Sequence, residues 1–392
     1  MTMSDQTPQI DVFSPAVRQD PYPVYAALRA KAPVYYDSSR NVWVVSRFAE
    51  AALVLKNQEA FSTRLTSFES TLLGADGAAH ARLRRIVGRV FASQRLPGLE
   101  GRFRELVRPL IADMLARGRG ELMEGLAQPV PLRLIAELLD IAPEHWDACR
   151  RWSNALTDAG QPFLTDTERS TITSSISECR VFFGEHVRRA LAAELKGVFP
   201  DLVAPTADGH RLTAAELLDV CMLLVVAGNE TITNLIGNAA QLLLCRPAIM
   251  RQFRQDMRLI PSFVEEVLRF ESPVQRVTRV TKVPVELAGC RIPQDARVIV
   301  LIGSANRDEE KFPQADEFQM DRTPNGHIAF GLGPHFCLGA QLARIEAAIV
   351  LECLLQSAEP VLCRPGEPIA YRESFDLRGP RRLDVLVRGV TS

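Results

Sequence analysis

The chain has 392 residues, 47% of them hydrophobic, and its 46 basic and 47 acidic residues give a formal net charge of -1. This balance provides no electrostatic reason to bind nucleic acid or an anionic membrane, so both are excluded as partners. Because no low-complexity segment interrupts the sequence, we expect residues 1–392 to form a single domain.

The sequence also predicts a cytoplasmic protein, and we expect a monomer. Its first residues lack the basic flank and the apolar core of a signal peptide. The longest wholly apolar run, residues 220–228, has nine residues, whereas a membrane-spanning helix needs about 20.

The N-terminal part predicts a short helix and a small sheet. Residues 20–23 (Asp-Pro-Tyr-Pro) lead into a helix-like stretch, and the segments 33–36 and 42–45 flank the turn residues 37–39. Two such segments around a short turn are typical of a β-hairpin. From Glu50 to Leu259 the apolar spacing indicates helices separated by clusters of Pro, Gly and Asp.

A long helix is predicted from Thr213 to Leu244. Thr213 and Glu216 form a capping-box pattern, and a rise of 1.5 Å per residue gives the helix a length of roughly 48 Å. In its middle stands the block Ala227 to Thr231 (Ala-Gly-Asn-Glu-Thr). A glycine inside a helix costs about 1 kcal/mol relative to alanine, so we expect close approach of a ligand there.

Strand-like segments return after Pro273. They cover residues 279–287 and 296–302, and a last pair is predicted near residue 361 and at 383–387. The predicted fold class is therefore mainly α with small β-sheets.

Residues 330–339, Phe-Gly-Leu-Gly-Pro-His-Phe-Cys-Leu-Gly, place Cys337 in a glycine-rich loop. From Leu338 to Ile349 leucines and isoleucines recur at helix spacing, so the cysteine is predicted at a helix N-terminus, where free N–H groups favour a negative sulfur. The eight cysteines include no Cys-x-x-Cys pair, and neither zinc nor a disulfide framework is indicated. Cys337 is the candidate metal ligand.

The loop fits the pattern Phe-x-x-Gly-x-x-x-Cys-x-Gly, with a histidine two residues before the cysteine. In this it resembles the haem loop of the cytochrome P450 monooxygenases. The resemblance implies the P450 fold, with a long central helix across the haem. It also implies haem b (iron protoporphyrin IX) as cofactor and Cys337 as the axial ligand of its iron. The other residues expected against the haem are Phe330, Gly331, Gly339, Ala227 and Gly228.

The block Ala227 to Thr231 resembles the family's Ala-Gly-x-acid-Thr sequence. The resemblance gives catalytic roles to Thr231, which would position bound dioxygen, and to Glu230, which would relay protons. Where the family usually has a second threonine this chain has Ile232, and Thr233 is a candidate structural substitute. The alternative for the block alone is a helix-packing glycine followed by an exposed glutamate.

Glu266 and Arg269 lie three residues apart on one face of a predicted helix. They would ordinarily form a surface pair worth about 0.2–0.5 kcal/mol. They also resemble the family's Glu-x-x-Arg motif, with Arg322 at the position of its later arginine. The resemblance implies a buried charge network that holds the loop beneath the haem, a structural role.

Haem carries two propionates, which need cationic partners and hydrogen-bond donors when they are buried. The residues that match the family's propionate ligands by position are His80, Arg84, Arg279 and His335, and the resemblance implies that all four bind haem. Asp76, which often precedes the first histidine in the family, is also present. For His80 taken alone, a surface histidine is the alternative.

The resemblance implies a substrate site on the side of the haem opposite Cys337. Its expected lining is residues 62–73, 156–164, 223–227 and 274–277, with Ser374 and Phe375 as one wall. These segments are mostly Leu, Val, Phe, Ser and Thr. An apolar small molecule held by few polar contacts is therefore predicted.

These features together predict a haem-dependent monooxygenase that inserts one atom of O2 into an apolar substrate by hydroxylation or epoxidation. Secondary metabolites, terpenoids or steroids, and fatty acids are the expected substrate types. Electrons would come from NAD(P)H through a ferredoxin reductase and a ferredoxin, which would dock on the Cys337 face near Arg82, Arg85 and Arg89. The alternatives are a peroxygenase driven by H2O2, which needs no proton relay, and a non-catalytic haem carrier or sensor.

Overall fold

Helices form most of the described structure. The computed structural model describes residues 11–64, 71–92, 96–161 and 164–389, and a π-helical turn, Met123–Ala127, lies among its α-helices. These helices are, in chain order, α1 (Pro15–Gln19), α2 (Tyr22–Lys31), α3 (Phe48–Lys56), α4 (Gly77–Gly88), α5 (Leu96–Arg117), α6 (Pro129–Leu138), α7 (Trp146–Asp158), α8 (Asp166–Leu191), α9 (Phe199–Val203), α10 (Ala214–Ala227), α11 (Glu230–Leu244), α12 (Pro247–Gln255), α13 (Ile260–Phe270), α14 (Ile302–Ala305) and α15 (Ala340–Ser357). The predicted mainly α class is confirmed.

Small sheets accompany the helices. Their strands are β1 (Val34–Asp37), β2 (Val42–Val45), β3 (Phe61–Ser62), β4 (Arg119–Glu121), β5 (Arg276–Thr281), β6 (Val285–Leu287), β7 (Cys290–Ile292), β8 (Arg297–Leu301), β9 (Ala358–Leu362) and β10 (Asp384–Gly389). A five-stranded sheet has the order β1-β2-β8-β5-β3, a second sheet has the order β4-β10-β9, and β6 pairs with β7. The predicted hairpin is confirmed, because β1 and β2 are antiparallel with Val34 opposite Val45.

The later strands follow the prediction except in one place. The segment 296–302 contains β8, and the predicted last pair corresponds to β9 and β10. The prediction of one strand over 279–287 is wrong, because Lys282 to Pro284 separate β5 from β6 and a proline cannot donate a ladder hydrogen bond. The strands β3, β4 and β7 were not predicted, since two or three residues do not display a period.

The core is built around α11, α13 and α15. Apolar side chains of these helices, such as Ile236, Phe263 and Val350, form one contiguous cluster with those of α5. Nearly every residue of α11 is buried, which is typical of a helix at the centre of a protein. By length and composition the segment Ala214–Leu244 could cross a membrane, but 78% of its most apolar part is buried inside the protein, as in a core helix.

The long helix predicted from Thr213 to Leu244 is divided in two. Its start is as predicted, because the Thr213 hydroxyl accepts from the Glu216 N–H (3.2 Å) and the Glu216 carboxylate accepts from the Thr213 N–H (2.8 Å). Gly228 and Asn229 interrupt the helix between α10 and α11. The predicted span is therefore helical from Ala214 to Leu244, apart from a two-residue interruption inside the block where we expected close approach of a ligand.

Packing against two neighbouring helices holds this interruption. A Cβ atom on Gly228 would lie 3.0 Å from the Leu224 carbonyl oxygen and 3.3 Å from the Ile135 side chain of α6, so a larger residue would press against the backbone. Asn229 Nδ2 donates to the buried Ser153 Oγ of α7 (3.0 Å). The two halves of the helix are thus attached to α6 and α7 at the point where they separate.

Candidate active site

The glycine-rich loop turns tightly around Cys337. Gly331 and Gly333 have φ angles of 73° and 69°, which side-chain-bearing residues rarely adopt. The Cys337 N–H donates to the Phe330 carbonyl oxygen (2.9 Å), and this bond closes the loop. Helix α15 begins at Ala340 with Gly339 at its N-cap, so the cysteine lies just before a helix N-terminus, as predicted.

The Cys337 sulfur faces competing electrostatic influences. Burial raises the pKa of its thiol, while a backbone N–H of Gly339 and the positive charges of Arg84 and Arg344 oppose that rise. The residue is nonetheless exposed, so the sulfur is surrounded by protein but still reachable. A metal ion bound to such a sulfur would displace its proton.

The residues predicted to bind the haem propionates lie together at the loop. His80 and Arg84 come from α4 and Arg279 from β5, and the rings of His80 and His335 are 4.0 Å apart between centroids. In the described structure the Nε2 atoms of both histidines are buried without a hydrogen-bond partner. Burial and the nearby charges of His80 and Arg279 lower the pKa of His335 to about 4.

Arg279 is a buried cation with little compensation. The residue is 9% exposed, and its Nη1 donates to the Thr278 carbonyl oxygen (2.9 Å). Burial lowers the pKa of its guanidinium to about 10, and the nearby Asp76 carboxylate opposes this change. A second anion at this place would remove much of the cost of burying the charge.

Asp76 joins this cluster to the β3 strand. Its carboxylate accepts hydrogen bonds from the hydroxyls of Ser62 and Thr63 and lies 3.8 Å from His335 Nε2. These hydrogen bonds outweigh the effect of burial and lower the pKa of Asp76. One carboxylate among this group of cations and donors leaves positive charge for an anionic ligand.

Thr231 and Glu230 lie at the break between α10 and α11. The Thr231 hydroxyl donates to the Ala227 carbonyl oxygen (2.8 Å). Glu230 is 5% exposed and forms an ion pair with Arg372 through Oε2. Burial raises the pKa of Glu230, although the Arg372 charge acts in the opposite direction. The alternative of an exposed glutamate is therefore excluded.

Glu230 borders a polar cavity of about 90 Å³. The lining residues are Gln128, Arg150, Asn154, Asn229, Glu230, Thr233 and Arg372. A water molecule needs roughly 10–15 Å³ of such space and two to four polar partners, so the cavity can hold several waters. Thr233 lies on this side of α11 and donates to the Ala127 carbonyl oxygen (3.2 Å).

The predicted charge network is present, and its Glu266–Arg269 pair is fully buried. Arg269 binds both oxygens of Glu266 (2.7 and 2.8 Å), and Arg322 Nε donates to Glu266 Oε1 (3.2 Å). Arg269 also donates to the carbonyl oxygens of Asn306 and Ala315. Because Glu266 and Arg269 have no exposed side-chain surface, the surface-pair alternative is excluded. The network holds the chain that leads into the cysteine loop.

Parts of the expected substrate lining lie outside the described residues, namely 65–70 and 162–163. In the described part, Gln161 Nε2 donates to Ser374 Oγ (3.3 Å), and Val274 pairs with Leu377 in an isolated bridge. These contacts bring the three predicted regions together. Phe375 instead packs against Phe13, at 5.8 Å between ring centroids.

The arginines expected at a ferredoxin-docking face have partners within the chain. Arg82 pairs with Glu216, Arg85 pairs with Asp208 at 2.7 Å, and Arg89 donates to the carbonyl oxygens of residues 204 and 205. These contacts attach α4 and the turn after it to the segment between α9 and α10 and to the first turn of α10. The three residues are therefore not an unpaired basic patch.

Sequence reasoning missed three residues of the site, namely Glu265, Arg344 and Arg372. Arg372 is the partner of Glu230 across 142 residues of sequence, and Arg344 binds Glu265 across 79 residues. No local pattern marks such pairs, since each depends on the tertiary fold. Arg344 stands four residues after Ala340 on the helix that follows the cysteine, and this position is the one signal that could have drawn attention to it.

Comparison with known proteins agrees with this geometry. The sequence profile of the family described as Cytochrome P450 matches residues 121–375. The protein named Cytochrome P450 109 of Bacillus spizizenii is 36% identical over 352 residues, covering 89% of this chain and 87% of that protein. Cytochrome P450 monooxygenase PikC of Streptomyces venezuelae is 36% identical and covers 93% of this chain and 91% of its own.

Solved structures give the same result. The crystal structure of CYP109E1 from Bacillus megaterium in complex with corticosterone has a TM-score of 0.86 at 30% identity, covering 95% of this chain and 99% of that chain. The fold, the cysteine loop and the relatives lead to one conclusion. The chain belongs to the cytochrome P450 family of haem enzymes.

Proposed function

We propose that this P450 enzyme inserts one atom of O2 into an apolar small molecule and that Cys337 is the axial ligand of its haem iron. The observation that carries the proposal is the Cys337 sulfur, which has a Gly339 N–H donor and the charges of Arg84 and Arg344 around it. Family membership implies haem, O2 and redox partners. That the enzyme is a cytoplasmic monomer of one domain stays a prediction.

The cationic cluster fits haem b. His80 and His335 each have a buried Nε2 without a hydrogen-bond partner in the described structure, and Arg279 is a buried cation. Two propionates would supply acceptors for these atoms and offset the positive charge. His80, Arg84, Arg279 and His335 are therefore the residues that would hold the propionates.

When bound, haem b would supply the iron at which O2 is activated, and a thiolate ligand would favour O–O cleavage. The Gly339 N–H and the Arg84 and Arg344 charges favour the negative form of the Cys337 sulfur. The remaining residues proposed to lie against the macrocycle have small side chains or belong to the loop: Phe330, Gly331, Gly339, Ala227 and Gly228.

Glu230 and Thr231 are the proposed proton-handling pair. A carboxyl group whose pKa is raised by burial can hold a proton nearer to neutral pH than an ordinary glutamate does. Glu230 borders the polar cavity, from which it can take up a proton. Thr231, which donates to the Ala227 carbonyl, would exchange this bond for one to the reacting oxygen.

We further propose that electrons come from NAD(P)H through a ferredoxin reductase and a ferredoxin. The substrate class that the relatives support best is steroid-like. CYP109E1 has been solved with corticosterone and with testosterone, and a relative at 34% identity, from Pseudonocardia autotrophica, is named Vitamin D(3) 25-hydroxylase. The expected lining of Leu, Val and Phe suits such a molecule.

The proposal is tested with the purified ferric enzyme. The carbon monoxide complex of the reduced protein should absorb at the long wavelength that a cysteinate ligand causes, and Cys337→Ser should abolish this band. Corticosterone, testosterone and vitamin D3 should then be titrated while the Soret band is followed, and products should be analysed after turnover with 18O2.

Incorporation of one 18O atom into a hydroxylated product would support the proposal. A carbon monoxide complex whose Soret band lacks this long-wavelength position would refute thiolate ligation. Turnover with H2O2 but not with O2 and electron donors would identify a peroxygenase. If no member of a wider library of steroids, terpenoids and fatty acids shifted the Soret band, a carrier or sensor would be favoured instead.

A further inference from the structure

Glu265, which directly precedes Glu266 on α13, contacts residues on both sides of the cysteine loop. The Glu265 carboxylate accepts from Arg344 Nε (2.5 Å) and Nη2 (3.0 Å), and it also binds His327 Nε2 (3.2 Å). Arg344 and Glu265 are about equally accessible, with 31% and 30% of their side-chain surface exposed. A two-point contact of this kind fixes the orientation of the guanidinium plane.

The hydrogen bonds of His327 determine its tautomer. Its Nδ1 accepts from the Ala329 N–H (3.2 Å), so the hydrogen of the neutral ring is on Nε2 and is donated to Glu265. His327 lies three residues before Phe330, where the loop begins. Glu265 therefore contacts the chain on both sides of the loop, at His327 before it and at Arg344 after it.

Arg344 is also held against the loop itself. Its guanidinium carbon lies 4.5 Å from the centroid of the Phe330 ring, a distance at which a cation is attracted to the ring face. The carbonyl of the same Phe330 accepts the Cys337 N–H. The positive charge of Arg344 is therefore held beside the residue that is hydrogen-bonded to the Cys337 backbone.

We propose that Arg344 is a positioning residue whose charge, held by Glu265 and by the Phe330 ring, raises the reduction potential of the iron bound to Cys337. A nearby cation favours the state that carries one more electron, and a nearby anion disfavours it. Glu265 holds Arg344 in place and its negative charge offsets part of the Arg344 charge. Glutamine in its place keeps an oxygen that can accept from the guanidinium but removes the negative charge. This inference rests on the proposed function, in which Cys337 is the ligand.

The test is the ferric/ferrous reduction potential of the holoenzyme, measured by redox titration of its visible spectrum. Arg344→Gln should shift the equilibrium toward the ferric form by roughly tenfold, which is about 59 mV for one electron. Glu265→Gln should shift it in the opposite direction. The double variant, in which both charges are removed, should return close to the parent.

Arg104→Gln is the matched control. Arg104 and Glu352 join α5 to the same helix α15 at 2.6 Å, with 31% and 24% of their side chains exposed, but they lie far along α15 from the cysteine. This variant should leave the potential unchanged. Arg344→Lys, which keeps the charge but loses the two-point contact, should stay closer to the parent than Arg344→Gln does.

The outcomes separate this inference from the proposed function. If the parent lacks the carbon monoxide band of a thiolate-ligated haem, both are overturned. If the band is present but Arg344→Gln moves the potential no more than Arg104→Gln, only the role of Arg344 is overturned. Should Arg344→Gln not accumulate with haem, Glu265→Gln decides alone, because its potential must rise if the inference is right.

Discussion

Two buried glutamates on neighbouring core helices, Glu266 on α13 and Glu230 on α11, have opposite surroundings. Glu266 has no exposed side-chain surface and accepts hydrogen bonds from Arg269, Arg322, the Gln319 N–H and Asn325. Glu230 is almost as buried, but in the described structure its side chain accepts a hydrogen bond from Arg372 and borders a polar cavity.

The number of hydrogen-bond partners determines what each of the two acids can do. A carboxylate with several hydrogen-bond donors around it is held in one place, and losing its cationic partner leaves a buried charge without compensation. A buried carboxyl with one cationic partner and nearby space for water can exchange a proton at a smaller cost. The first arrangement suits a scaffold and the second suits proton transfer.

The largest expected effect is loss of stability when the scaffold is broken. Arg269→Ala should lower the free energy of unfolding by about 3–5 kcal/mol, because Glu266 then stays buried without its main partner. Urea unfolding of the holoenzyme measures this change. Arg372→Ala is the matched control, and it should cost about 1 kcal/mol or less because Arg372 is 29% exposed. Equal losses in the two variants would show that the two clusters do not differ as described.

The next effect is on activity. Glu230→Gln should lower product formation by about 10²-fold, as expected when a positioned acid is removed, while the carbon monoxide band stays intact. The measurement is product formed per NAD(P)H consumed with a ferredoxin system. Glu352→Gln is the control, since Glu352 also pairs with an arginine, Arg104, at 2.6 Å but lies on α15, away from Thr231. Unchanged coupling in Glu230→Gln would remove the proton-handling role.

Sequence reasoning reached the parts of this site whose signals are local. The ten residues around Cys337, the Thr213 capping box and the spacing of Glu266 and Arg269 each lie within one turn or one loop. The helix–loop context of Cys337 could be predicted because glycines and an apolar repeat stand directly beside it.

The remaining features depend on contacts between distant residues. The Asn229 hydrogen bond to Ser153 spans 76 residues, so the sequence marks the place of the interruption through Gly228 but not the contact that holds it. Arg372 lies beyond the last helix, in a segment without a regular pattern. A close approach of two segments in the tertiary fold leaves no trace in the local sequence of either one.

The difference between the two acids can be sharpened by pH. Because burial raises the pKa of Glu230, the folded state holds a proton that the unfolded state releases between the ordinary pKa of a glutamate and the raised value. Stability from this group is complete below that window and is lost as the pH rises through it. We therefore expect the parent to lose stability across this window, whereas Glu230→Gln should not. The free energy of unfolding of the variant minus that of the parent, measured with urea, should increase as the pH rises.

Arg372→Gln is the companion variant. It removes the charge that opposes the effect of burial on Glu230, so the pKa of Glu230 should rise further and the window should extend to higher pH. A difference between the parent and Glu230→Gln that did not vary with pH would mean that Glu230 keeps its charge throughout.

The smallest effect is expected at an exposed pair, which completes the comparison. Arg85 and Asp208 are 2.7 Å apart with 53% and 47% of their side chains exposed, so Arg85→Gln should change the free energy of unfolding by less than about 1 kcal/mol.

The same pair, Arg85 and Asp208, tests where a ferredoxin docks. Charge at the rim of an interface mainly alters association rates, so an acidic ferredoxin docking here would reduce the haem more slowly in Arg85→Gln and faster in Asp208→Asn. Stopped-flow reduction at low salt measures both rates, and equal rates in parent and variants would place the docking surface elsewhere, because these two substitutions change the local charge in opposite directions.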